Sequence, residues 1–97
     1  MMCGGASANK IPDADELAFF IECKAIVEAA AGASYDAFTP ICFTSQVVAG
    51  TNFCVKFNVG GDAHVHAKIF RPLPHTGAPA SVSGFVADQS ADSAFAF

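Results

Sequence analysis

The sequence predicts an α+β fold in which one N-terminal helix packs across an antiparallel β-sheet of four to five strands. Two observations carry this. Apolar residues recur with a helical period between Asp13 and Gly32, and from Pro40 onward the period drops to two. A third observation, the length of 97 residues, suits one domain with one core, residues 1–97, with residues 1–11 as a mobile arm.

Each element has a local reason. Residues 1–11 are rich in Gly, Ser and Ala and carry no periodicity. Pro12-Asp13 opens the helix. Asp13 can accept from free backbone N–H groups, and Glu16, three residues on, completes an Asp-x-x-Glu capping box. Phe19, Phe20, Cys23, Ile26, Val27 and Ala30 share one helical face, Leu17 and Ile21 lie at its edge, and Gly32 supplies a stop. In the sheet, Ile41 and Phe43 alternate with Cys42 and Thr44. Phe53, Val55, Phe57 and Val59 alternate with Asn52, Cys54, Lys56 and Asn58, and after the turn Gly60-Gly61-Asp62 come Val65, Ala67 and Ile69 against His64, His66 and Lys68. One apolar and one polar face per strand describe a sheet covered on one side by the helix. Pro72 and Pro74 end the third strand, residues 82–87 form another, and Phe95 and Phe97 alternate near the end.

Composition narrows the function. Ten Phe, no Trp and one Tyr indicate a core of Phe, Val and Ile. The net charge is −4, and Lys10, Lys24, Lys56, Lys68 and Arg71 are scattered, which argues against nucleic acid or an anionic membrane as partner. No stretch approaches the roughly 20 apolar residues of a membrane helix. No basic segment followed by an apolar run opens the chain, so the expected location is the cytoplasm, with passive entry into the nucleus. Cys3, Cys23, Cys42 and Cys54 show no C-x-x-C spacing, so zinc-knuckle and thioredoxin readings fail. They are expected reduced, three as packing residues and Cys3 as an exposed thiol.

The stretch most informative about function is Gln46-Val47-Val48-Ala49-Gly50, between two strand patterns and so at a hairpin tip. Its short apolar side chains lose little rotamer entropy on docking, and none is a nucleophile, base or metal ligand. Such a tip binds rather than catalyses. The segment matches the Q-x-V-x-G hairpin of the cystatins, inhibitors of papain-like cysteine proteases. Met1-Met2-Cys3-Gly4 resembles the N-terminal trunk of the stefin branch, and Leu73-Pro74-His75 resembles its second binding loop. The resemblance runs to about Phe85. It implies a cystatin-like fold and a reversible, tight-binding, competitive inhibitor whose three-part wedge enters the cleft of papain or cathepsins of the B, H, L and S class. The implied contact residues are Met2, Cys3 and Gly4 in the trunk, Gln46, Val47, Val48, Ala49 and Gly50 in the hairpin, and Leu73, Pro74 and His75 in the second loop. Stefins also lack the disulfides of secreted cystatins.

Other readings stand beside this one. The fold could serve as a binding or scaffold module without inhibition. The helix carries fewer charges than stefin helices, and the C-terminal register with the family is uncertain. A thiol hydrolase would need a Cys–His pair in a cleft, and the cysteines fall in packed segments or on the arm. His64 and His66 share one strand face and could hold a metal, but the expectation is two solvent-facing rings with no metal or other cofactor. The acting species is expected to be a monomer, while the exposed sheet edges and the hairpin allow a domain-swapped dimer.

Overall fold

The computed structural model describes residues 10–90 and Phe95. Met2, Cys3, Gly4, the rest of the predicted arm before Lys10, and Phe97 lie outside the described residues.

The helix begins where its cap places it. Asp13 accepts from the Glu16 backbone N–H at 2.8 Å, and the Glu16 carboxylate accepts from the Asp13 N–H at 3.0 Å, so the capping box closes in both directions. The helical run is interrupted once, giving α1 (Ala14–Glu22) and α2 (Lys24–Ala31). At Cys23 the backbone N–H is shared between the carbonyls of Phe19 and Phe20, each at 3.2 Å, which distorts one turn without ending the helical course. Gly32 closes α2 in the left-handed region at φ +68°.

Four strands follow as a meander: β1 (Thr39–Val48), β2 (Gly50–Gly60), β3 (Ala63–Pro72) and β4 (Ser81–Gln89), in the spatial order β1-β2-β3-β4 and all antiparallel. Lys10 adds an isolated bridge to β1. Its N–H donates to the Phe43 carbonyl at 2.8 Å, and the Phe43 N–H returns the bond at 2.9 Å, so the last part of the predicted arm is tied to the sheet edge.

The core lies between helix and sheet. Phe20, Cys23 and Val27 meet Phe43, Phe53, Val55, Phe57, Val65, Ala67 and Ile69, all buried. Phe20 is the hub, with its ring edge-on to Phe43 at 5.1 Å and to Phe53 at 5.2 Å. Such pairs add about 0.5–1.5 kcal/mol each beyond the area they bury. Phe38 extends the cluster, stacked on Phe57 at 4.2 Å.

Three expectations need correction. Ala30 is exposed rather than on the buried face. Ile41 does not share Phe43's burial: the ladder shifts between Pro40 and Cys42, because proline has no N–H to pair, and Ile41 turns partly outward. The third concerns the outer face of the sheet, which is not simply solvated. Thr44, Cys54, Lys56, His64 and His66 are all buried there. Phe95 lies on this face, its ring 4.5 Å from that of His66.

Candidate functional site: a two-loop edge at one end of the sheet

β1 and β2 join with a single residue between paired positions. Val48 pairs with Gly50, and Ala49 alone makes the bend. Gly50 has φ +131°, a conformation that L side chains rarely adopt. It also pairs with Pro72 at the far end of β3. The tip of the first hairpin and the start of the second loop are therefore adjacent strand ends. The fit is close: a Cβ on Gly50 would stand 2.6 Å from the Arg71 carbonyl oxygen and 2.8 Å from the Phe70 ring.

The second loop is held by its own residues. Pro74–Thr76 forms one 3₁₀ turn, in which the Thr76 N–H and hydroxyl both donate to the Leu73 carbonyl, at 3.0 and 2.8 Å. The Ala78 N–H donates to the Thr76 hydroxyl at 3.3 Å. The Thr76 hydroxyl thus fixes the loop with two local bonds of the kind Ser and Thr make in turns.

This edge presents apolar surface. Val47 is 80% exposed and Leu73 39%. Gln46, Ala49 and His75 are exposed as well, while Gly50 is buried against Arg71 and Phe70 of β3. An open cleft of about 310 Å³ lies at this end of the sheet, lined by Gly50, Thr51, Phe53, Arg71, Pro72 and Leu73. Arg71 stands at its wall with the guanidinium 4.6 Å above the Phe19 ring, a cation–π contact that ties this end of the sheet to α1.

The structure thus brings the hairpin and second-loop residues together, while Met2, Cys3 and Gly4 lie outside the described residues. Residue types alone did not reveal Phe70, Arg71 or Thr76 as supports. A large residue opposite a turn glycine, and a Thr closing a Pro-rich loop, are the signals that could have pointed to two of them.

Cysteine and histidine chemistry lies elsewhere. Burial pushes the Cys23 thiol up to about 11, with the Glu22 carboxylate adding to the shift and Arg71 opposing it. Burial also raises Cys42, against the pull of the Lys56 charge. Neither is poised as a thiolate nucleophile. Against expectation, both strand histidines are buried. His64 belongs to the β2–β3 turn: its Nδ1–H donates to the Asp62 carbonyl at 2.9 Å, and its Nε2 accepts from the Asn58 amide at 3.4 Å. The same amide donates to the Gly61 carbonyl at 3.0 Å. No group of three or more His, Cys, Asp or Glu side chains among the described residues could hold a metal. No described helix is long and apolar enough to cross a membrane.

A helix laid on a four-stranded meander, with two apolar loops projecting from one end, defines an α+β protein of the cystatin-like class. Comparison with known proteins gives this class a family. Cystatin-B of Oplegnathus fasciatus is 39% identical over 97 residues, covering 100% of this chain and 97% of its own. Cystatin-B of Mus musculus is 39% identical over 85 residues, 88% of this chain and 87% of its own, and Cystatin-A1 of Sus scrofa is 35% identical over 94 residues, 95% and 89%. A further Sus scrofa relative, 35% identical over 94 residues, is named leukocyte cysteine proteinase inhibitor 1. No protein-family model matches the chain. The chain belongs to the cystatin family, in its stefin branch, a family of cysteine protease inhibitors; it is not an enzyme.

Proposed function

We propose that this chain is a reversible, competitive, tight-binding inhibitor of papain-like cysteine proteases, working through a three-part wedge. The observation that carries the reading is the shared edge: Val47 and Leu73 are exposed on loops whose bases pair directly, Gly50 with Pro72. Rigid loops of short side chains enter a cleft with little entropy left to lose. The tip offers no nucleophile or general base, so the block is steric and non-covalent. The third part is the trunk at Met2, Cys3 and Gly4. The antiparallel bridge at Lys10 and Phe43 favours this assignment, because Gly4 precedes Lys10 by as many residues as Ala49 follows Phe43.

The targets on this reading are papain and cathepsins of the B, H, L and S class, met in the cytoplasm and nucleus. The monomer is the acting species. A dimer swapped through the hairpin would straighten residues 46–50 and lose inhibition, so gel-filtration fractions assayed separately should place the activity in the monomer. Equal activity per subunit in both fractions would remove this part.

The direct test is titration of active-site-counted papain with reduced protein, beside binding to papain whose catalytic thiol carries a small alkyl group. Stoichiometric, reversible inhibition together with binding to the blocked enzyme is expected. No inhibition at micromolar protein would leave a cystatin-fold binding module in its place.

A further inference from the structure

The outer face of the sheet poses a problem that the two-loop edge does not. His66 has no exposed surface, and both its ring nitrogens are buried with no hydrogen-bond partner among the described residues. An imidazole in such a place is tolerable only as the neutral ring, since protonation would add a second buried N–H donor and a charge. Its neighbours sharpen the penalty. Across the strand pair stands Lys56, also fully buried. On β3 itself His64 and Lys68 flank it on the same face, and β1 places Cys42 beyond Lys56. β4 sets uncharged Val86 opposite. Above lies the Phe95 ring, at 4.5 Å. The one carboxylate on these strands, Asp88 of β4, bears on Tyr35, whose ring packs against the core, while the charges that act on His66 are those of Lys56 and His64.

We propose that Phe95 and His66 form an acid-released clasp: the neutral imidazole seats the C-terminal aromatic ring on the sheet, and protonation of His66 lets it go. Releasing Phe95 opens the imidazolium to water, which solvates two N–H donors that have no acceptor among the described residues. The helix, the core and the two-loop edge lie on the other face or at the end of the sheet, so the clasp can open without dismantling them.

The sign and size follow from linkage. Burial, then the Lys56 charge, then His64 lower His66 from 6.5 to about 4. A base depressed in the closed form favours closure fully above pH 6.5, loses that advantage as pH falls from 6.5 to 4, and loses nothing further below. Across the whole window the closed-to-open ratio drops by about 300-fold, and at pH 5 by about 30-fold.

The chain contains no tryptophan, so Phe95→Trp introduces a single indole at the clasp, whose emission can be excited apart from that of Tyr35. Acrylamide quenching should be weak at pH 7.5 and rise toward the free-indole value by pH 4.5, while the far-ultraviolet circular dichroism stays constant. With His66→Gln or His66→Phe in the same background, neither of which titrates, quenching should stay low at both pH values. Asp92 lies outside the described residues, and Asp92→Asn should leave the acid response in place. Should the indole fail to seat at pH 7.5, the unmodified chain is read by the rate at which carboxypeptidase Y trims its end, relative to a free peptide of the same terminal sequence; that ratio should rise at pH 5. Equal accessibility at pH 7.5 and 4.5, an acid response that survives removal of His66, or one that vanishes in Asp92→Asn would each overturn the clasp.

Discussion

Replacing Gly50 with alanine tests the two-loop edge at its hinge. The new Cβ meets two obstacles. The backbone at φ +131° is unsuited to an L side chain, and such strain is about 1–3 kcal/mol. The methyl would also stand 2.6 Å from the backbone oxygen of Arg71 and 2.8 Å from the Phe70 ring. The ring can tilt, but the carbonyl belongs to β3 and cannot retreat without moving the second loop; overpacking of this kind adds about 1–3 kcal/mol. Together Gly50→Ala should destabilise by about 2–6 kcal/mol, a large part of the roughly 5–15 kcal/mol available to a domain. Gly32→Ala is the control, since it too has positive φ, at +68°, but nothing lies within 4 Å of the added Cβ. Urea unfolding followed by circular dichroism gives both values, and papain inhibition by whatever remains folded reports the geometry of the edge. Gly50→Ala within about 0.5 kcal/mol of Gly32→Ala would refute the claim that the hairpin and second loop are packed against each other.

Further outcomes follow from the same structure. Val47→Asp removes an exposed apolar contact and should leave stability within about 0.5 kcal/mol while weakening papain inhibition at least tenfold, read as a Ki. Asp13→Ala opens the capping box from one side and should lower stability by about 1 kcal/mol with inhibition unchanged, measured by urea midpoint and Ki together. Cys23, raised to about 11, should resist a neutral thiol reagent at pH 7.5 far longer than the same cysteine in urea, when labelling is mapped by peptide mass. Equal labelling rates in the two conditions would contradict its burial.

Local rules made the helix and the meander legible. Asp13 and Glu16 are a cap readable from two letters, and Phe53-Cys54-Val55-Lys56-Phe57 alternates too cleanly to be anything but a strand. The break at Cys23 was not legible, because no proline or glycine marks it and one shared N–H makes it. Ile41 was misplaced although Pro40 was in view: a period-two pattern assumes an unbroken ladder, and the proline breaks it. The burial of Lys56 and His66 escaped for a different reason. Alternation reports which face is polar, not what later arrives to cover it, and Phe95 comes from a part of the chain with no periodic tie to β3. At the edge, the hairpin and the Leu73 loop were readable as motifs. That Gly50 is needed a second time, against Phe70 and Pro72, depended on strand register.

The meander also fixes an order of assembly. Every strand pairing joins neighbours in sequence, β1 to β2, β2 to β3, and β3 to β4, so each hairpin can zip from its own turn with little loop entropy to overcome. Two described contacts reach further along the chain, Lys10 to Phe43 at the start and Phe95 to His66 at the end. Each closes a long loop with one bridge or one ring contact, so each adds few bonds to the sheet it touches. The Lys10 bridge and the Phe95 ring contact can therefore let go and reseat while the strand pairings between them hold.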